Sequence, residues 1–176
     1  CALPISTNVV ADCRKALRLL GDVEAAYSSQ IVAILAPAGY GKTQLAAELT
    51  ASAGGRPNGV LLHGRDLHAR HSLDDLARRM SIAGQPIQTM ESLLAAVDAA
   101  GQRAQHRLPV VIDGLNEAED PRDWKRLLAV LDRKLSKYPY VLVICTLRPE
   151  FKDDALPEET RRLEIDGYGE DVVSAI

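Results

Sequence analysis

The eight residues from Ala36 to Thr43, APAGYGKT, have the composition and spacing of a loop that binds phosphate groups. Gly39 and Gly41 can adopt backbone angles closed to other residues, so successive N–H groups can turn inward around phosphate oxygens at the positive end of a helix. Lys42 would reach the β- and γ-phosphates of a nucleotide, and the Thr43 hydroxyl would ligate Mg²⁺. The motif therefore predicts a nucleotide site formed by Ala38, Gly39, Tyr40, Gly41, Lys42, Thr43 and Gln44.

The motif departs from the full pattern GxxxxGK[ST] at its first position, where this chain has Ala36. The alternative is a glycine-rich turn that caps a helix and carries an exposed lysine. The flanking segments favour the phosphate loop, because an apolar run suited to a buried strand precedes it at 31–35 and a segment suited to a helix follows at 44–50. In the empty loop we expect Lys42 to be exposed.

A second apolar run, 108–112, ends on Asp113. In nucleotide-binding α/β sheets this is the place of the Walker B carboxylate, which orients Mg²⁺ through water. Taken alone, an aspartate after an apolar strand is more often a turn residue. The phosphate loop about 70 residues upstream favours the metal-binding interpretation.

Strand and helix signals alternate along the chain, which predicts a parallel sheet covered by helices on both faces, a three-layer α/β sandwich. Ser72 is the expected N-cap of one helix. The predicted strands cover 31–35, 59–63, 108–113, 140–145 and 162–165. The predicted helices cover 9–27, 44–50, 72–82, 92–103 and 121–137.

The strand at 140–145 indicates the additional-strand class of P-loop NTPases, in which the strand after Walker B inserts between the Walker A and Walker B strands. With the five predicted strands numbered in chain order, the expected order in the sheet is 5-1-4-3-2. In that class the inserted strand ends on a polar sensor beside the γ-phosphate, and Arg148 stands at that end. Its planar fork of five donors suits a phosphate. The alternative is an exposed arginine before a proline.

Bulk properties fit one α/β domain. The chain has 176 residues, of which 47% are hydrophobic and 26% charged, so intrinsic disorder is not expected. A formal charge of −3 and a pI near 5.8 argue against direct nucleic-acid binding. The three cysteines have no metal-ligand spacing, and no apolar stretch approaches the roughly 20 residues that span a bilayer. We expect a cytoplasmic protein without a membrane partner.

Three segments together resemble the NACHT and related STAND signal-transduction ATPases: APAGYGKT followed by Gln-Leu, VVIDGLNEAED, and VLVICTLRPEF. The resemblance covers roughly residues 30–168. It implies a switch that binds ADP at rest and, once activated, binds ATP with Mg²⁺ and self-associates. It also implies sensor and effector domains outside this segment.

The resemblance also implies roles for single residues. Lys42 and Thr43 would hold phosphate and Mg²⁺, Asp113 would position the metal through water, and Arg148 would sense the γ-phosphate. Two positions depart from the family pattern. Asn116 stands where a second aspartate is usual, and Gly114 stands where fast ATPases have a catalytic glutamate.

Glu117 is the remaining candidate to polarise water, although it could equally cap the following loop. Slow ATP hydrolysis is therefore expected, because a misplaced base loses much of the roughly 10²- to 10⁴-fold that general-base catalysis gives. The predicted catalytic residues are Lys42, Asp113, Glu117 and Arg148.

The chain is expected to divide into a linker and helix (1–29), the nucleotide-binding core (30–168) and the start of a truncated helical lid (169–176). It begins with Cys rather than Met and has the look of a piece cut from a longer protein. Two other functions stay open: a small P-loop kinase, and a non-hydrolysing scaffold that binds nucleotide. ATP is favoured over GTP because the Asn-Lys-x-Asp motif of guanine-specific NTPases is absent from the sequence.

Overall fold

The computed structural model describes residues 29–52, 57–82 and 84–165. The predicted helix over 9–27 and the expected lid segment at 169–176 lie outside these residues. Along the described chain the elements are β1 (Ile31–Leu35), α1 (Lys42–Thr50), β2 (Val60–His63), α2 (Leu73–Ala77), β3 (Ser81–Ile82), β4 (Gln85–Pro86), α3 (Met90–Ala104), β5 (Leu108–Asp113), α4 (Asp123–Leu135), β6 (Val141–Leu147), α5 (Lys152–Ala155) and β7 (Arg161–Glu164). Short 3₁₀ turns lie at Gly64–Asp66, Leu115–Glu117 and Pro149–Phe151.

A five-stranded parallel sheet forms the centre of the fold, in the order β2-β5-β6-β1-β7. Strand β6 therefore lies between β1 and β5. In the register, Leu35 of β1 pairs with Leu147 of β6, and Ile112 of β5 pairs with Cys145 of β6. The predicted α/β class with a central parallel sheet is confirmed.

The three central strands are buried almost throughout, as expected for a sheet covered on both faces. Successive residues of β1 join different clusters: Ala33 and Leu35 pack in the large core with α3 and α4, whereas Ile34 packs with Ala46 of α1. This alternation follows from the two-residue period of a strand. It produces three layers, with α1 on one face of the sheet and α3 and α4 on the other.

The predicted helix over 72–82 is wrong in its second half. The helix begins after Ser72, where the side chains of Ser72 and Asp75 form the reciprocal capping box, but it ends at Ala77. Residues 81–82 and 85–86 instead pair as the antiparallel strands β3 and β4, and Gly84 before β4 has φ +77°. Leu73, Leu76 and Met80 have the spacing of a helical face, but Ile82 lies two residues after Met80, as in a strand, and is exposed.

Other boundaries shift by a few residues. Helix α3 begins at Met90 because the Thr89 side chain accepts a hydrogen bond from Ser92 N and caps the helix. Strand β6 continues two residues beyond the predicted end, to Leu147. In the described ranges no helix is both long and apolar enough to cross a bilayer.

The carboxyl ends of β2 and β5 approach each other closely at Gly64. A Cβ atom on Gly64 would lie 2.1 Å from the carbonyl oxygen of Gly114 and 3.0 Å from Cα of Leu115. Both of these are backbone atoms that cannot move aside independently. Glycine at position 64 therefore allows the turn after β5 to pack against the end of β2.

We expect Gly64→Ala to lower the free energy of unfolding by about 1–3 kcal/mol, because overpacking against backbone forces a shift of the turn. Asn58→Ala, at an exposed position before the same strand, is the matched control and should change stability by less than about 0.5 kcal/mol. Urea unfolding of the two variants measures the difference. Equal stabilities would show that the two strand ends are free to separate.

Candidate functional site

The carboxyl ends of the adjacent strands β1, β6 and β5 meet at one edge of the sheet, which is where ligands bind in open α/β sheets. The 36–43 loop follows β1, Arg148 follows β6, and Gly114 follows β5. A hydrogen bond from Ala36 N to Leu147 O, 3.2 Å long, joins the start of the loop to the end of β6.

The 36–43 loop turns through two left-handed glycines, Gly39 at φ +82° and Gly41 at φ +71°. Gly41 is the N-cap of α1, and neither a side-chain cap nor an acidic residue occupies the first turn of this nine-residue helix. The first N–H groups of a helix have no acceptor within the helix. They are therefore open to an outside acceptor, and the helix dipole favours an anion.

Lys42 folds back over the loop. Its Nζ donates to the carbonyl oxygens of Ala36 and Pro37, both at 2.7 Å, and the residue is intermediate in exposure rather than fully exposed as expected. Partial burial, and next the nearby positive charge of Arg148, lower the pKa of Lys42. Two cationic side chains therefore share one region, and an anion between them would relieve their repulsion.

Asp113 is held by two threonine hydroxyls. Thr43 Oγ1 donates to Asp113 Oδ2 at 2.8 Å, and Thr146 Oγ1 donates to Asp113 Oδ1 at 2.6 Å. The Thr146 hydroxyl in turn accepts from Gly114 N at 2.9 Å. Asp113 is 7% exposed and Thr146 is fully buried. The carboxylate thus has a fixed orientation next to the first turn of α1.

The Thr43 hydroxyl and the Asp113 carboxylate bring together oxygen atoms of the kind that Mg²⁺ prefers. Within the described residues no three His, Cys, Asp or Glu side chains are grouped so that they could hold a metal ion. One hydroxyl with one carboxylate nevertheless fits Mg²⁺, which keeps several waters and takes other ligands from phosphates. The donor set therefore fits a metal that arrives with a phosphate ligand.

A cavity of about 340 Å³ lies at this edge of the sheet. The residues that line it come from the loop, from the turn after β5 and from the end of β6: Ala38, Gly39, Gly41, Lys42, Thr43, Asn116, Glu117 and Arg148. Most of the residues predicted from the sequence thus come together. Asp113 is not a lining residue and meets the cavity through Thr43.

Two residues of the predicted loop site are not among those that line the cavity. Tyr40 is 41% exposed at the tip of the loop. The Gln44 side chain donates from Nε2 to Glu48 Oε1 at 3.0 Å, along the surface of α1. Gln44 can therefore contact a phosphate through its backbone N–H, in the first turn of the helix, but not through its side chain.

A larger cavity, of about 630 Å³, lies elsewhere, beside Gln30, Asp132 and Thr160. It adjoins the amino end of β1 and the second half of α4, at the opposite edge of the sheet from the 36–43 loop. Volume is a poor guide here, because the smaller cavity has the glycine loop, the two cations and the metal-type oxygens. We therefore assign the candidate site to the smaller cavity.

Glu117 lies on the short turn Leu115–Glu117, which follows Gly114 at φ +74°. The Glu117 carboxyl group packs over Gly114, where a Cβ atom would lie 2.9 Å from Glu117 Cδ. Glu117 is exposed and lines the cavity. The same turn is joined to β6, because Asn116 Oδ1 accepts from Arg148 N at 3.1 Å.

The site residues predicted from the sequence did not include two residues of this arrangement, Thr146 and Asn116. Thr146 contacts Asp113 through a pairing of strands that are 33 residues apart, and Asn116 contacts Arg148 across 32 residues. One signal was present for Thr146, since it is the one hydroxyl in the apolar run VLVICTL. A buried polar group needs a partner, so its position in the run predicts a hydrogen bond.

No protein-family model and no curated protein sequence matches the chain. Solved structures with a similar fold include three complexes of Drosophila ORC with Cdc6, bound respectively to poly(dA/dT) DNA, GC-rich DNA and AT-rich DNA. Their TM-scores are 0.49, 0.45 and 0.42 at 14%, 10% and 10% identity. The alignments cover 88%, 97% and 98% of this chain, which spans 29%, 66% and 66% of the matched chains. Similarity at this level concerns overall shape and assigns neither ligand nor partner.

We expect Thr146→Val to destabilise the fold by at least about 2 kcal/mol, because it leaves Asp113 Oδ1 and Gly114 N without their buried partner. Thr146→Ser keeps the hydroxyl and should cost only about 1 kcal/mol for the lost methyl group. Chemical unfolding followed by circular dichroism compares the two. Equal losses would show that the methyl group, and not the hydroxyl, matters at this position.

Proposed function

We propose that this chain binds ATP or ADP with Mg²⁺ in the 340 Å³ cavity, as the core of a regulatory ATPase of the STAND type. The observation that carries the proposal is the convergence of three features on that cavity. These are the left-handed glycine loop at the start of α1, the cations Lys42 and Arg148, and the hydrogen-bonded pair of Thr43 and Asp113. Together they suit an anion that carries a divalent metal.

Each residue then has a separate task. The N–H groups of the first turn of α1 donate hydrogen bonds to the oxygens of the inner phosphates of the nucleotide. Lys42 exchanges the carbonyl oxygens of the loop for phosphate oxygens, which requires only a rotation of its flexible side chain. Arg148, at the end of the strand inserted beside β1, reaches the terminal phosphate.

Thr43 and Asp113 would hold Mg²⁺, Thr43 directly and Asp113 through water. The metal would neutralise charge on the phosphates when bound. Thr146 keeps the Asp113 carboxylate oriented toward Thr43, and the Thr43 hydroxyl can remain hydrogen-bonded to Asp113 while its oxygen lone pairs face a metal.

Hydrolysis by this site is slow in the proposal. Gly114, and not a glutamate, follows Asp113 directly, so the candidate that polarises water is Glu117. Glu117 is exposed, and water around it weakens the electrostatic effect of any carboxylate on a reacting group. A site that retains a bound nucleotide and hydrolyses it slowly is suited to a switch.

The STAND assignment rests on the order of the three sequence segments and on the position of Arg148. Under it, residues 30–168 form the nucleotide core and 169–176 begin a helical lid. Sensor and effector domains would lie elsewhere, self-association would accompany ATP binding, and the compartment would be the cytoplasm. No nucleic-acid or membrane partner is proposed for this segment.

Bound nucleotide and turnover of the purified protein distinguish the three functions that the sequence leaves open. Retained ADP with little turnover supports the switch. Fast phosphoryl transfer to a small acceptor would instead identify a kinase, and bound nucleotide with no turnover at all would identify the non-hydrolysing scaffold. A protein that binds no nucleotide under any condition would overturn the proposal.

We expect Lys42→Ala to abolish ATP binding while the fold stays intact. The substitution removes the cation of the loop, and its two hydrogen bonds to loop carbonyls together contribute about 1–3 kcal/mol, less than the usual stability of a domain. Calorimetric titration with ATP measures the loss. Lys137→Ala, at an exposed lysine near the opposite edge of the sheet, is the control and should bind ATP normally. Unchanged binding by the Lys42 variant would refute the phosphate loop.

We expect Asp113→Asn to weaken nucleotide binding in the presence of Mg²⁺ more than in its absence. The carboxylate acts through the metal, so its loss matters mainly when the metal is present. Titrations of ATP with Mg²⁺ and with a chelator give the two affinities, and Asp132→Asn on the exposed face of α4 is the control. Equal losses in both conditions would assign Asp113 a structural role alone.

A further inference from the structure

Asn116 is the middle residue of the turn Leu115–Glu117 and lines the cavity together with Lys42 and Arg148. Its Oδ1 atom accepts the hydrogen bond from Arg148 N at 3.1 Å. An N–H donor requires an acceptor, so this bond decides which end of the amide is the oxygen. The backbone N–H of Arg148, directly after β6, therefore fixes the orientation of the Asn116 side chain.

In the described part of the chain the bond from Arg148 is the one hydrogen bond that the Asn116 side chain makes. The amide nitrogen keeps two N–H donors for a ligand. The bond to Arg148 N does not require asparagine, because an aspartate oxygen would accept the same donor. What asparagine adds at this position is a pair of donors and the absence of a negative charge.

Charge around the cavity makes this difference important. Lys42 and Arg148 supply two positive charges, whereas Glu117 lines the cavity and Asp113 adjoins it with negative ones. A further carboxylate at position 116 would shift the balance against an anionic ligand. The neutral amide keeps the cavity favourable to a polyphosphate.

We infer that Asn116 is a ligand-binding residue that donates a hydrogen bond to the terminal phosphate and thereby favours the nucleoside triphosphate over the diphosphate. The inference rests on the proposed nucleotide site. The first turn of α1 takes the inner phosphates, and the turn after β5 forms a separate wall of the same cavity. A group that reaches Asn116 beside Arg148 is therefore the outermost phosphate.

The experiment compares two substitutions that separate this role from a structural one. Asn116→Asp keeps an acceptor for Arg148 N but replaces the donors with a negative charge, whereas Asn116→Leu removes both the acceptor and the donors. Gln102→Glu adds the same charge at an exposed site near the end of α3, which packs beside Tyr140 at the amino end of β6 and so at the opposite edge of the sheet from the cavity, and controls for net charge. Affinities for ATP and ADP are measured by calorimetry with and without Mg²⁺, because an aspartate could also contact the metal. Thermal unfolding reports the folded state of each variant.

If Asn116 donates to the terminal phosphate, Asn116→Asp weakens ATP binding about tenfold or more and ADP binding by less than about threefold in the metal-free titrations. Asn116→Leu lowers the ATP affinity as well, and Gln102→Glu changes neither affinity. If Asn116 only anchors Arg148, Asn116→Asp leaves the ratio of ATP to ADP affinity unchanged, and the inference is overturned while the nucleotide site stands. Failure of the unchanged protein to bind either nucleotide would overturn both.

Discussion

The candidate site depends on one buried carboxylate with both oxygens occupied. Asp113 lies at the end of β5 and accepts hydrogen bonds from Thr43 on α1 and from Thr146 on β6. A carboxylate removed from water is costly unless hydrogen bonds replace its hydration, and these two hydroxyls provide that replacement. The same bonds join three separate elements of the sheet edge. The distance from the 36–43 loop to the turn after β5 is therefore set by the groups that orient Asp113.

The turn after β5 is held by three contacts, one with the end of β2 and two with the end of β6. Gly64 lacks the Cβ atom that would strike Gly114, and Gly114 itself adopts a left-handed angle that favours glycine. Gly114 N also donates to Thr146, while Asn116 accepts from the backbone of Arg148. Because the turn is fixed at both of its sides, the position of Glu117 beside the cavity follows from backbone packing. Substitutions at the ends of β2 or β6 would consequently alter the site even where the substituted residue does not contact a ligand.

The parts of the fold that follow from local pattern could be predicted, and those that follow from pairing of distant segments could not. Strands Ile31–Leu35 and Leu108–Asp113 are continuous apolar runs, and Gly39 and Gly41 adopt the left-handed angles expected of the loop. The β3–β4 hairpin was missed because its two strands are only two residues long, too short to show an alternating pattern, and directly follow the helical spacing of Leu73, Leu76 and Met80. The contact of Thr146 with Asp113 depends on the register of β6 against β5, which periodicity within one segment does not reveal.

Exposure decides what the proposed site can do with a nucleotide. Arg148 and Glu117 are both exposed, whereas Asp113 and Thr146 are buried. The buried pair is held by a hydrogen bond within the protein, so the part of the site that would orient the metal is preorganised. The exposed pair acts through water, which screens its charges and limits its effect on a reacting phosphate. Under the proposed function, the residues that would orient the metal are therefore fixed, whereas those that would act on a reacting phosphate are exposed to water, and this difference is why slow hydrolysis is proposed for this site.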